Sequence, residues 1–216
     1  MSLPALADIP GKPRFYARAR LLDVHNAPIR GANLAVNQNY IFHYPYAGTP
    51  CFLLNLGKNA GRTVTLKTED GKSYEWPGGV GASRSIVGYS AICAHRLAYP
   101  TRQISFISFR PSVSDNSHAS ARTIHCCAEH SEYDPARGAR VMGGPAKQPL
   151  AAILLEHDAK SDELFAVGTL GGELFDAFFD KYGFKLSLEH ADARKAVTDS
   201  TVVTELERFC QQEVRC

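Results

Sequence analysis

What the sequence lacks narrows the field first. No apolar run approaches the length of a membrane-spanning helix; "AAILLEHD" at 151–158 is the size of a strand. Neither charge sign dominates: 24 Lys and Arg face 22 Asp and Glu, for a net charge of +2. There is no basic stripe interleaved with aromatics, so composition supplies no drive toward nucleic acid or an anionic lipid surface. The opening stretch "MSLPALADIPGKPRFYARAR" has no charged-then-apolar leader pattern and no twin-arginine pair. Six cysteines, Cys51, Cys93, Cys126, Cys127, Cys210 and Cys216, are too few and too unevenly spaced for a disulfide framework. At 216 residues and 44% hydrophobic content the chain can bury a core without such staples.

What is present is mostly strand-like. "YIFHY" at 40–44, "CFLLNLG" at 51–57 and "SIVGYSAI" at 85–92 read as strands. "TVTLKTEDGKSYEW" at 63–76 reads as a hairpin turning at Asp70-Gly71. "AAILLEHD" and "ELFAVGT" at 163–169 form a second hairpin across a short polar link. "ISFISF" at 104–109 and "RTIHC" at 122–126 bracket the polar, aperiodic "RPSVSDNSHASA", which reads as a loop insertion. After Leu170 the character changes. "ELFDAFFDKYG" at 173–183 has helical spacing and a C-capping glycine, Gly183. "DSTVVTELERFCQQEV" at 199–214 places Val202, Val203, Leu206, Phe209 and Cys210 on one helical face, with Asp199 or Ser200 as its cap. These readings divide the chain into an N-terminal segment at 1–39, a β domain at 40–170 and a partly helical C-terminal extension at 171–216.

Two short motifs carry chemistry. Cys93 and His95 stand two apart in "ICAHRLAYP", and Cys127 and His130 three apart in "TIHCCAEHSEYD". Two thiolates and two imidazoles suit a closed tetrahedral zinc site. They equally suit a two-iron, two-sulfide cluster with two cysteines on one iron and two histidines on the other. The order C-x-H…C-x-x-H gives each loop one ligand of each kind, and this alternation favours the iron–sulfur arrangement. Cys126, next to Cys127, is an alternative ligand with one more residue before His130. His125 reads as a strand or surface histidine, and His43, His118 and His157 have no partner at metal-ligand spacing. Cys51 reads as a core thiol. Cys210 and Cys216 read as packing or exposed thiols.

"CAH" at 93–95 with "CAEH" at 127–130 resembles the ligand pattern of Rieske [2Fe-2S] proteins. "SEYD" followed by "GGPAKQPL" at 143–150 resembles their acidic-aromatic stretch and proline loop. The frame "FHYPYAGTPCFLLNLGK", "IVGYSAICAH" and "LLEHDAKSDELFAVG" is similar to the small subunit of arsenite oxidase and its relatives. The resemblance implies an antiparallel β-sandwich with a cluster-binding subdomain, its loops at about 88–148. It implies Cys93, His95, Cys127 and His130 as ligands. Ser131 and Tyr133 would tune the cluster by hydrogen bonding, and Gly144 and Pro145 would lie in a covering loop. It also implies an electron-transfer subunit or carrier, rather than a catalyst alone, that docks on a molybdopterin oxidoreductase or a cytochrome and works in the periplasm. A ferredoxin-like component of a Rieske oxygenase and a zinc-binding interaction module are the other readings. The chain departs from the pattern in three ways. It lacks the extra cysteine in each loop that forms a disulfide over the cluster in respiratory relatives. Its ligand motifs are 31 residues apart, and only three residues separate His130 from Asp134.

Overall fold

The computed structural model describes residues 12–112 and 120–216. His118 and most of the insertion expected after Arg110 lie outside the described residues. The chain order is β1 (Arg14–Leu22), β2 (Tyr40–His43), β3 (Pro50–Asn55), β4 (Val64–Lys67), β5 (Ser73–Trp76), β6 (Ile86–Ser90), β7 (Ile104–Ser105), β8 (Ile107–Arg110), β9 (Thr123–Cys126), β10 (Ser131–Asp134), β11 (Arg140–Gly143), β12 (Ala152–Asp158) and β13 (Glu163–Leu170). Then come α1 (Phe175–Glu189), β14 (Ser200–Val202), β15 (Thr204–Glu205), α2 (Leu206–Phe209) and β16 (Gln212–Glu213). The protein is mainly β, as the sequence predicts.

Eight strands form one sheet in the order β14-β1-β13-β12-β6-β3-β2-β15. Its two edge strands are nearly continuous in sequence, so the sheet almost closes on itself. β14 pairs with β1 and β15 with β2. The Thr201 hydroxyl donates to the His43 carbonyl at 2.9 Å, joining β14 to β2. The continuously apolar β3 makes sense at this position. It lies between β2 and β6, and all its residues are buried. By strand alternation, Cys51 and Leu53 join one apolar core with Phe42, Ile153 and Leu164. Phe52 and Leu54 join the other with Trp76, Tyr89, Phe109 and Ile124. Each such large side chain contributes about 1.5–3 kcal/mol on burial.

That second core lies between the large sheet and a four-stranded sheet ordered β11-β10-β9-β8. The small sheet presents the loops of interest, and the predicted 63–76 hairpin, β4–β5, packs beside it through Leu66 and Tyr74. Its turn holds Gly71 at φ +81°, where Gly carries no side-chain penalty. The β12–β13 hairpin also forms as read, from Ala152 opposite Leu170 to Asp158 opposite Glu163.

The C-terminal helices differ from expectation. α1 runs through Gly183 rather than ending there. Phe178, Phe179 and Leu186 share one apolar cluster with Ile92 and Tyr99, and this packing outweighs the roughly 1 kcal/mol helical cost of glycine. The helix expected over 199–214 is replaced by β14, β15, the four-residue α2 and β16. The β-branched run Thr201–Thr204 favours extended backbone, and β1 and β2 offer it ladder partners. Its apolar residues then split, Val203 into one core and Leu206, Phe209 and Cys210 into the other.

Candidate metal centre

Two loops of matching backbone geometry meet at the end of the small sheet. The first leaves β6 at Cys93, whose N–H donates to the Ala98 carbonyl at 2.8 Å, and Leu97 takes a left-handed φ of +61°. The second joins β9 to β10, with Cys126 opposite Ser131 and His130 at φ +57°. In each loop the cysteine pairs with the residue five positions on, and the residue four positions on is left-handed. The Cys93 sulfur accepts backbone N–H groups from His95 and Arg96, and the Cys126 sulfur accepts them from Ala128 and Glu129. Cys93 and Cys126 are therefore equivalent positions in two copies of one turn. Arg96 and Glu129 bridge the loop tips at 3.1 Å.

The two thiols are in hydrogen-bond contact, and both are almost fully buried. The Cys126 thiol donates to Cys93, and this contact, with Tyr133 and the two backbone N–H groups, outweighs burial and pulls Cys93 below the usual thiol range. Cys126, holding the remaining proton beside that charge, is pushed up. The Tyr133 hydroxyl lies 3.3 Å from the Cys93 sulfur and accepts the Ala94 N–H at 3.2 Å. Burial and then the neighbouring Cys93 charge keep Tyr133 protonated. The Ser131 hydroxyl and the His95 Nδ1 are buried without hydrogen-bond partners. Two neighbouring thiols, with an unsatisfied imidazole nitrogen and hydroxyl in the same two loops, are a donor set that suits a metal cofactor.

The residues singled out from sequence divide between two faces. Cys93, Ser131 and Tyr133 line the buried inner face with Cys126. Cys127 lies elsewhere: it forms a disulfide with Cys216. The pairing differs from the packing or free-thiol reading of Cys216 and links the second loop to the chain's tail. His130 is exposed, with Nδ1 3.7 Å from the Cys216 sulfur and its ring 5.6 Å from that of His125. Gly144, at φ +79°, packs so closely on the His130 carbonyl and Ser131 that a Cβ has no room, so the loop at 143–149 lies against the second loop; Pro145 is exposed.

The place of Cys126 was encoded in strand alternation. Counting back from Tyr133 through its partner Ile124 puts Cys126 on the inward face and His125 on the outward one. Cys216 carried no local signal. Its position follows from tail contacts made far along the chain. Ser108 donates to Glu213 at 2.7 Å, Arg110 pairs with Glu213 at 3.3 Å and also donates to the Val214 carbonyl.

No protein-family model matches the sequence. The fold is similar to the soluble domain of Rieske protein II from Sulfolobus acidocaldarius, at 24% identity and a TM-score of 0.52. The match covers 73% of this chain and 82% of that one. The likeness is one of architecture: the chain has a Rieske-type fold.

Proposed function

We infer that the protein transfers single electrons through a Rieske-type [2Fe-2S] cluster held by Cys93, His95, Cys126 and His130. The observation that carries this reading is the paired, equivalent setting of Cys93 and Cys126, with His95 Nδ1 unsatisfied beside them. Sequence spacing favours Cys127 as the second thiolate. Its disulfide and the loop equivalence favour Cys126. The inner pair would hold one iron, and His95 and His130 the other. Such a group, when bound, takes up and returns one electron, in a potential range of about −150 to +300 mV set by its two neutral ligands.

The chain's own groups then have distinct tasks. The four backbone N–H groups on Cys93 and Cys126 offset anionic sulfur. Tyr133 and Ser131 offer hydroxyl donors, which favour the more negative reduced state and so raise the potential. Gly144 lets the covering loop approach and restrict water. His95 and His130, near the open loop tips, form the exit for the electron and the docking edge for a larger redox partner. A molybdopterin oxidoreductase subunit of the arsenite-oxidase type fits that role by sequence resemblance, as does a cytochrome.

The test is metal content and low-temperature EPR of anaerobically prepared protein after dithionite reduction. Two irons per chain, with a rhombic signal whose average g lies below that of all-cysteine clusters, are expected. Iron-free protein with a silent spectrum overturns the reading.

A further inference from the structure

The outward face of the β9–β10 hairpin gathers a second set of soft donors. One atom each from His125, His130 and Cys216 lies within 4.8 Å of the other two. Cys127 is bonded to Cys216 and so adds a fourth donor at the same place. His125 is only 1% exposed, yet neither ring nitrogen has a hydrogen-bond partner. Glu132 Oε1 lies 3.3 Å from its Nδ1 but off the line a hydrogen bond requires. A buried imidazole whose Nε2 has no partner, beside a second imidazole and two sulfurs, calls for a ligand. The charge around it is mixed: Arg110 lies 3.6 Å from the Cys127 sulfur, and Glu132 lies on the histidine side.

We propose that, once the Cys127–Cys216 disulfide is reduced, this face binds one thiophilic d10 cation such as Zn2+ through Cys127, Cys216, His130 and His125. Donors bonded at 2.0–2.3 Å to a tetrahedral ion stand about 3.5 Å apart, so the widest donor separations close by about 1 Å and the two sulfurs, once unbonded, open to that spacing. The reductant is a dithiol. Its thiolate attacks the Cys216 sulfur and Cys127 leaves as a thiolate. Its second thiolate then displaces Cys216 and closes the reductant's own disulfide, so two electrons and two protons reach the protein. Binding releases the thiol protons to solvent. The site is independent of the inner thiol pair, but it uses His130. Zinc held here and a histidine-ligated cluster on the inner face therefore exclude one another.

The experiment is Zn2+ titration of the full chain against a chromophoric chelator, before and after phosphine reduction and anaerobic desalting. Binding of one more ion per chain after reduction than before it is expected. Cys216→Ser and the exposed-site variant His130→Gln bind at least tenfold more weakly, and Cys51→Ala, at a buried thiol outside both faces, binds as the parent does. Equal binding in both redox states overturns the proposal. So does loss of binding in Cys93→Ser with retention in Cys216→Ser, which places the ion at the inner pair. Failure of the cluster reading shows separately, as absence of iron and of an EPR signal.

Discussion

On the inner face of the β9–β10 hairpin, Cys126, Ser131 and Tyr133 are buried with Cys93, and the Ser131 hydroxyl has no hydrogen-bond partner. On the outer face, one residue away in sequence, His125, Cys127 and His130 meet the tail through Cys216 and Arg110. The donor chemistry is nearly the same on both sides. Position decides the difference. The inner thiols are held by four backbone N–H groups in two matched turns, whereas the outer sulfurs are joined to each other and depend on a strand added from 89 residues away. Adjacent cysteines, Cys126 and Cys127, are sent to opposite faces by the two-residue period of the strand.

The largest effect expected is all-or-none. Cys93→Ser and Cys126→Ser should each reduce bound iron from two per chain to none, since both cysteines are needed on one iron. Cys127→Ser should keep its iron, and His125→Gln likewise. Iron and EPR measured on the four variants in parallel decide the matter. If Cys127→Ser loses the cluster and Cys126→Ser keeps it, the inner-face assignment is wrong and the sequence spacing was the better guide. A second large effect concerns the outer face alone. Cys216→Ser removes a crosslink spanning 89 residues and should cost about 2–4 kcal/mol in chemical denaturation. Cys126→Ser, with no disulfide to lose, should not show that loss.

Much of this centre was legible in the sequence. Cys93 and His95 lie at the end of a strand whose apolar run is unambiguous, and Tyr133 follows a recognisable acidic-aromatic stretch. The large sheet was legible because β3, β6, β12 and β13 are built on short apolar runs set between turn residues. What was hidden depends on distant partners. Val202 to Cys210 fits a helical face as well as it fits strands, and only the open edges of β1 and β2 select the latter. The disulfide of Cys127 needs the tail to cross β8, a fact held in Arg110, Ser108 and Glu213 and in no local pattern.

A subtler difference separates the faces by potential. Tyr133→Phe removes a hydroxyl 3.3 Å from the Cys93 sulfur and should lower the midpoint potential of the loaded protein. A hydrogen bond about 1 kcal/mol stronger in the reduced state corresponds to about 40 mV for one electron. His125→Gln, on the outer face, should leave the potential unchanged. A protein-film titration of both variants checks the contrast, and an unmoved potential in Tyr133→Phe would take that hydroxyl out of the tuning set.

A further contrast is a pH dependence at the root of the tail. The His43 ring lies 5.9 Å from that of Phe209 in α2 and 5.6 Å from that of His190. Burial first, then the neighbouring His190 and Arg102, push His43 down to about 4. The unfolded chain then binds a proton near pH 6.5 that the folded chain refuses until about pH 4. Stability therefore falls as pH drops through that window, and it is fully present above it. The loss is on the order of 1–3 kcal/mol at pH 4. Because His43 sits beneath α2, from which the tail leaves for the outer face, the tail should loosen before the inner thiols do. Hydrogen exchange at pH 5 compared with pH 7 should show faster exchange at Gln211–Val214 and little change at Cys93–Ala98, while His43→Gln should flatten the pH dependence of unfolding. Equal acceleration in both segments would mean that the two faces share one cooperative unit.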